Sequence, residues 1–226
     1  MIKLPDPQQY DDPIRYFRDS HGVVGAVLDR FSKLVDAARK VGVRTSFETS
    51  PEWQELLEFF VRVAPIHEMD EERALFPVVL EKVTHIGFQS PTAPNRFIHE
   101  QHTIMQQRSK ALLALWEGYL IQQSLSIEDE KRFLDIADEL VKLYHEHITM
   151  ENQIIYTAAN DNLLTPPERI AIMLMIRELH SERTVMPVIG FENTIYDPLA
   201  EHGDDTAVSK TIIDSDEESD DEETEN

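Results

Sequence analysis

The sequence predicts an all-α protein: an up-down antiparallel four-helix bundle, then an additional C-terminal helix, then a disordered acidic tail. Three observations carry that expectation. Four long segments each show an apolar stripe at spacings of three and four. Their joints are short and carry capping residues, which makes successive helices antiparallel neighbours. Glycine is scarce, 7 in 226 residues, and alternating β-branched runs are few, so an all-β reading is poor.

The first helix runs from about Pro13 to Val41 and ends at Gly42. Its stripe is Ile14, Phe17, His21, Val24, Leu28, Phe31 and Val35. The second takes Ser50 as N-cap and Pro51 as its first position, and runs to about Lys82. Trp53, Leu56, Phe60, Val63, His67, Glu71, Ala74 and Val78 form its stripe, and Pro65 predicts a kink within it. After the loop HIGFQSPTAPN, the third helix spans about Asn95 to Gln123. Its stripe is Ile98, His102, Met105, Ser109, Leu112 and Trp116. The fourth starts near Ser126 in a capping-box pattern and runs to about Asn160, with Phe133, Ile136, Leu140, Tyr144, His147, Glu151, Ile154 and Ala158 inward. Thr165-Pro166-Pro167-Glu168 opens the fifth, which stops before Pro187. Its segment 170–176 is apolar almost all round, as expected of a helix that packs on the bundle or on a second copy. The expected organisation is thus a metal-binding bundle over 1–164, an accessory helix over 165–187, and an irregular and acidic stretch over 188–226.

Composition excludes several classes of chemistry. With no cysteine, disulfides, thiolate catalysis, iron–sulfur clusters and zinc-finger ligation are ruled out, so any metal must be held by His, Asp or Glu. That fits the cytoplasm. The first residues lack the apolar core of a secretory signal, and no run of about 18 apolar residues could span a bilayer. The net charge is −22, nine units of which sit in 214–226, so nucleic acid is not an expected partner. The tail, with Ser215, Ser219 and Thr224 in acidic context, reads as a solubilising end. Together with the helix at 165–187 it is also where a protein partner would dock.

The polar residues on the stripes carry the chemistry. Each bundle helix places one histidine inward: His21, His67, His102 and His147. The second and fourth add Glu71 and Glu151 one turn later, and no Lys or Arg shares a stripe with them. Burying carboxylates without a partner costs several kcal/mol. A pair of divalent cations supplies the missing charge, and imidazole with carboxylate suits Fe, Mn or Zn. Residues at i and i+4 share a helix face, so His67–Glu71 and His147–Glu151 can each offer a nitrogen and a carboxylate to one centre. Carboxylates bridge, so four histidines and two glutamates make a coherent dinuclear site. The two H-x-x-x-E segments also repeat one pattern, a polar residue, two spacers, an aliphatic and an aromatic, which argues for a pseudo-symmetric site.

At these residues the chain resembles the hemerythrin-like, HHE cation-binding domain family. The resemblance covers about residues 10–160 and rests on His21, HEMDEERALFP (67–77), HEQH (99–102) and HITMENQIIY (147–156). It implies a non-haem, oxo- or hydroxo-bridged di-iron centre. His21 and His67 would serve one iron, His102 and His147 the other, and Glu71 and Glu151 would bridge. There are departures. Oxygen carriers of the family have two histidines spaced by four on the third helix, whereas His99 and His102 are spaced by three. His99 is thus a candidate for an additional ligand or a flanking contact. Tyr156 stands where the family often has an LFP-like segment, near the core, where its hydroxyl needs a partner.

The function this implies is binding of O₂ or a related small molecule, NO or peroxide, for sensing, storage or detoxification. The alternatives are a di-iron enzyme or iron donor in repair of damaged iron centres, and an iron- or oxygen-responsive regulatory protein. Repair members of the family carry a cysteine-containing segment that has no counterpart in this sequence. Other polar residues read as surface: His145 points away from His147, Glu68, Asp70 and Glu72 form a solvated face from which Glu72 could also act as a spare ligand, and His85, His180 and His202 lie off the stripes. Gly22 and Gly25 flank His21, where they allow a close helix approach or leave room for a small ligand.

Overall fold

The computed structural model describes residues 2–84 and 92–185; His85, His202 and the acidic tail lie outside them. Among the described residues the regular structure is helical throughout. Helix α1 (Pro13–Val41) begins where Asp12 accepts the N–H of Ile14, with Pro13 at its first position, and ends at Gly42, whose φ of 90° suits only glycine. A short helix not foreseen from the sequence, α2 (Val43–Thr49), follows. It buries Val43 and Phe47, and Ser46 accepts the indole N–H of Trp53 at 3.0 Å. Ser50 closes α2, so it does not cap the next helix through its side chain; Pro51 occupies that position.

The second rod is continuous over 52–84 but not uniformly α-helical. Helices α3 (Glu52–Glu58), α4 (Ala64–Asp70) and α5 (Phe76–Thr84) are joined by π turns at Phe59–Val63 and Glu71–Leu75. In the first, the Ala64 N–H reaches back five residues to the carbonyl of Phe59. Pro65 follows directly and has no N–H to give, so the expected kink is taken up as a widened turn. Helix α6 (Thr92–Gln122) is the third rod. The fourth is α7 (Ile127–Met150), a π turn at Glu151–Ile155, α8 (Tyr156–Ala158) and a last π turn at Ala159–Leu163. Ser126 caps α7 as expected, its Oγ accepting the N–H of Asp129 at 3.0 Å.

Cross-rod contacts fix the topology. His21 meets Asn152 while Arg39 meets Asp138, so rods one and four run antiparallel. Tyr16 meets Asp70 while Arg30 meets Glu55, and Glu72 meets His102 while Glu68 meets Gln106; the same opposition holds between rods one and two and rods two and three. His102–His147 and Arg108–Glu139 close the ring antiparallel as well. Helix α9 (Pro166–Val185) lies against one end, burying Ile172, Met173 and Ile176. Thr165 and Glu168 form its cap, Lys82 bonds Glu168 and the carbonyl of Leu163, and Arg169 reaches Asp12. Glu168 is held down to about 2 by its bond to Lys82 and those to Thr165. On its outer side Ile170, Leu174 and Met175 are exposed.

Two apolar clusters fill the bundle. One runs from Val24 through Phe31, Trp53, Phe60, Leu112 and Phe133 to Tyr144. The other, toward α9, gathers Phe17, Leu75, Phe76, Ile98, Tyr156 and Ile176. Between them lies a band of buried polar side chains. Up to that band most of the predicted stripe positions are buried, but Val63 gives way to Ala64 at the first π turn and Ile136 to Ala137 in α7. Beyond it they slip: Ile154 is exposed, and Ile155 and Tyr156 are buried in its place, while Val78 yields to Val79. A π turn inserts one extra residue, about 100° of rotation, so a stripe counted at threes and fours runs off the core after Glu71 and Glu151.

Gly22 and Gly25 mark no close approach, since nothing lies within 4 Å of a methyl group added at either. Gly22→Ala and Gly25→Ala are each expected to stabilise the protein by about 0.5–1 kcal/mol, the helix-propensity difference. A thermal melt of each variant checks this, and a lowered midpoint would show that the glycines are needed.

Candidate metal centre

The polar band contains His21, His67, Glu71, His102, His147 and Glu151, all six expected residues, each at most 4 % exposed. They fall into two groups, His21–His67–Glu71–Glu151 and Glu71–His102–His147–Glu151. Within each, one donor atom per residue lies within 4.8 Å of every other. The two glutamates belong to both.

The local backbone explains the convergence. His67 and His147 sit in the last turn of α4 and α7, and Glu71 and Glu151 each open a π turn. The i+4 step keeps each glutamate on its histidine's face. The extra residue then swings the following aliphatic and aromatic side chains inward, where they seal the band. Phe76 N–H bonds the carbonyl of Glu71 and Tyr156 N–H that of Glu151, the same five-residue closure twice. The two segments thus repeat in backbone as well as in sequence.

Nitrogen and oxygen stand close without forming hydrogen bonds. Nε2 of His21 and Nε2 of His147 are each 3.1 Å from Oε2 of Glu151, and Nε2 of His67 is 3.3 Å from Oε1 of Glu71. Yet among the described residues both oxygens of Glu151, Oε2 of Glu71 and both ring nitrogens of His67 have no hydrogen-bond partner. These contacts have the distance of an ion pair but not the angles of a hydrogen bond. The angles decide what the contacts are, because buried polar groups in folded proteins are paired as a rule. Two donors about 2.1 Å from a shared ion, at right angles, stand about 3 Å apart.

Tautomers point the same way. Glu72 Oε1 accepts from Nδ1 of His102 at 2.7 Å, and Gln101 Oε1 from Nδ1 of His147 at 3.1 Å. With both protons on Nδ1, the two Nε2 lone pairs face each other at 3.0 Å. That is repulsive unless a cation or an extra proton lies between them. Asn152 accepts from Nδ1 of His21 at 3.3 Å, which leaves that Nε2 directed at the glutamates as well.

Electrostatics divides the carboxyl pair. Burial raises both. Glu71 ends well above the ordinary carboxyl range because the charge of Glu151 adds to its burial. Glu151 ends well below it, since His147 and His21 outweigh burial. Burial lowers His67 and His147. It also opposes charge on His102, but Glu72 as acceptor lifts that histidine above its usual value. Six buried donors without a lysine or arginine in contact, among the described residues, fit divalent cations. Tyr156 closes one end: its hydroxyl donates to Oε1 of Glu71 and lies 3.3 Å from Nε2 of His21. His99, one third exposed, shares Glu72 with His102, its Nδ1 at 3.1 Å, and stands outside both donor groups.

Three residues expected on a solvated face are placed otherwise. Glu68 is buried and accepts from Gln106 and Tyr144. Asp70 is fully buried, and its Oδ2 takes Tyr16 at 2.9 Å and His180 at 2.7 Å, so His180 is no surface residue but a tie from α9. Glu72 is half-buried under His102. A run of acids beside H-x-x-x-E looks like a polar face; the signal against it is Tyr144 on the inward stripe and Tyr16 and Gln106 beside the stripes, whose donors need acceptors. His145 is exposed as expected.

Comparison with known proteins gives a match between residues 12–159 and the family described as Hemerythrin HHE cation binding domain. A protein of Haemophilus influenzae, described as an uncharacterized protein, is 24% identical over 156 residues, spanning 68% of this chain and 84% of its own. No solved structure gives a significant match.

Proposed function

The chain belongs to the hemerythrin HHE cation-binding domain family, and on that premise we propose that it holds two iron ions in a carboxylate-bridged pair. His21 and His67 would hold one, His102 and His147 the other, with Glu71 and Glu151 between them. The centre's use would be to bind O₂ or a related small molecule, NO or peroxide, for sensing, storage or detoxification. The observation that carries this reading is the facing pair of Nε2 lone pairs on His102 and His147, with both glutamates shared between two buried donor groups.

Iron pairs supply reversible binding and electron transfer to such molecules. The chain's own residues hold and shield. Glu72 and Gln101 fix the imidazole tautomers that present Nε2 inward. The two apolar clusters exclude water from both sides of the band. Tyr156 offers its hydroxyl at the His21–Glu71 edge, where it can donate to a bound molecule or hold the carboxylate.

Metal analysis of the purified protein, then optical spectra of the reduced form with and without oxygen, tests the proposal. Two irons per chain and a reversible charge-transfer band in the visible are expected. His67→Ala and Glu151→Ala should each lower the content to one ion per chain or fewer. Two ions retained in either variant would mean the donors are misassigned.

A regulatory reading has one observation in its favour. Asp70, next to Glu71, is tied by His180 to α9, whose outer face carries Ile170, Leu174 and Met175. A partner docked on α9 would then respond to occupancy of the centre. A partner affinity unchanged by iron would exclude it.

A further inference from the structure

We propose that the two ion positions are unequal, the one served by His102 and His147 binding about 10–100-fold more tightly than the one served by His21 and His67. The inference rests on the metal reading above and adds an order of affinity that the donor set alone, four imidazoles and two shared carboxylates, does not contain.

The difference lies in what holds each imidazole from behind. A histidine that binds a metal through one nitrogen is oriented, and made more basic, by an acceptor on the other; loss of that acceptor typically weakens metal affinity 10–100-fold. Nδ1 of His102 has the carboxylate of Glu72 at 2.7 Å, and Nδ1 of His147 has the amide oxygen of Gln101 at 3.1 Å. On the other side the support thins. Nδ1 of His21 has Asn152 at a long 3.3 Å. Nδ1 of His67, on a side chain 5 % exposed, has no acceptor among the described residues. That ring packs instead against Phe17, centroids 5.8 Å apart, and edge-on to His21 at 4.7 Å. It is held by shape alone.

A second observation, independent of the first, weakens the same position. Glu71 is not symmetric in its surroundings. Its Oε1 faces His67 at 3.3 Å and His21 at 3.6 Å, and its Oε2 faces His102 at 3.7 Å. The Tyr156 hydroxyl donates to Oε1 and not to Oε2. A hydrogen bond received by a carboxylate oxygen withdraws electron density that it would otherwise give to a cation, so the His21–His67 position has the poorer share of the bridge. That position therefore fills last and empties first.

Stepwise titration of the metal-free full chain with cobalt(II), followed by its visible absorption, tests this. Two steps about 10–100-fold apart are expected. His67→Ala should lose the weaker step and keep the tighter; His147→Ala should lose the tighter. Glu72→Ala, which leaves all six donors in place and removes only a half-buried side chain behind them, should weaken the first step by about 10-fold or more and draw the two together. Glu72→Gln, which still accepts from His102 but without charge, should recover part of the loss. Equal steps in the unaltered chain, or a Glu72→Ala titration indistinguishable from it, would overturn the inference while leaving a two-ion centre standing. No cobalt bound at all would overturn the metal reading itself.

Discussion

Chelation of the bound ions is expected to lower the melting temperature of the full chain by about 8–16 °C. The reasoning is linkage. The six donors lie on four rods and converge only in the folded chain, so ions bind the native state and not the unfolded one. At a free-ion concentration of about 1,000 times the dissociation constant, this adds about 4 kcal/mol. For a chain of this length each kcal/mol moves the midpoint by about 2–4 °C. The ions also stabilise in a way that no nearby group does: Glu71 and Glu151 are fully buried, and the side chains that face them are histidines and a tyrosine, not lysine or arginine. Removing metal leaves two carboxyl groups in the core, Glu71 pushed well above the ordinary range by burial and the charge of Glu151, and Glu151 drawn well below it by His147 and His21 against the opposing effect of burial. Melting curves recorded by circular dichroism before chelation, after it, and after ions are returned would measure the effect. A midpoint indifferent to chelation would mean that the band is a hydrogen-bonded core and not a metal centre.

How far the sequence could be read depended on which residues decided each feature. The stripes of α1 and α6 were legible throughout, because both are regular α-helices with one spacing from end to end. So was the inward placement of the six His and Glu residues, where carboxylates on an apolar face lack a counter-charge. The second and fourth rods were legible in part, with Val63 and Ile136 only partly buried and the larger slip falling after Glu71 and Glu151. There the five-residue closures change the period, and a count that assumes 3.6 residues per turn puts Ile154 inside and Ile155 outside, the reverse of what the structure holds. The adjacent apolar pairs Leu75-Phe76 and Ile155-Tyr156, each buried, lie where the closures fall. Glu68, Asp70 and Glu72 were misread for a different reason. Their burial depends on Gln106, Tyr144, Tyr16, His180 and His102, all on other helices. Pairing across helices has no periodicity to betray it. The short helix α2 escaped notice because seven residues hold too few turns to show a stripe.

The same asymmetry between Glu71 and Glu151 leads to the second large effect. Glu71→Gln is expected to change stability in opposite directions with and without metal. The amide keeps the size of the side chain and still accepts the Tyr156 hydroxyl, so the packing between Phe17 and Tyr156 is undisturbed. In the metal-loaded protein the variant replaces one carboxylate oxygen with an amide nitrogen and removes one charge that would face the ions. Most of the ion-dependent stabilisation goes with it, a drop that approaches the roughly 8–16 °C of full chelation at pH 7. In the metal-free protein the sign reverses. Burial, and then the charge of Glu151, raise Glu71 well above the 4.5 of an unfolded glutamate. The folded state therefore holds this proton more tightly than the unfolded state, and between 4.5 and the folded value the stability it contributes is lost as pH rises. Glutamine cannot ionise and suffers no such loss. The metal-free variant should match the unaltered chain near the unfolded value of 4.5 and exceed its melting temperature by a growing margin as pH rises above it. Melting curves of both proteins, stripped and loaded, across that range test the crossing. A variant less stable in both states would show that Glu71 acts as an ordinary buried hydrogen-bonding group, with no cation to bridge.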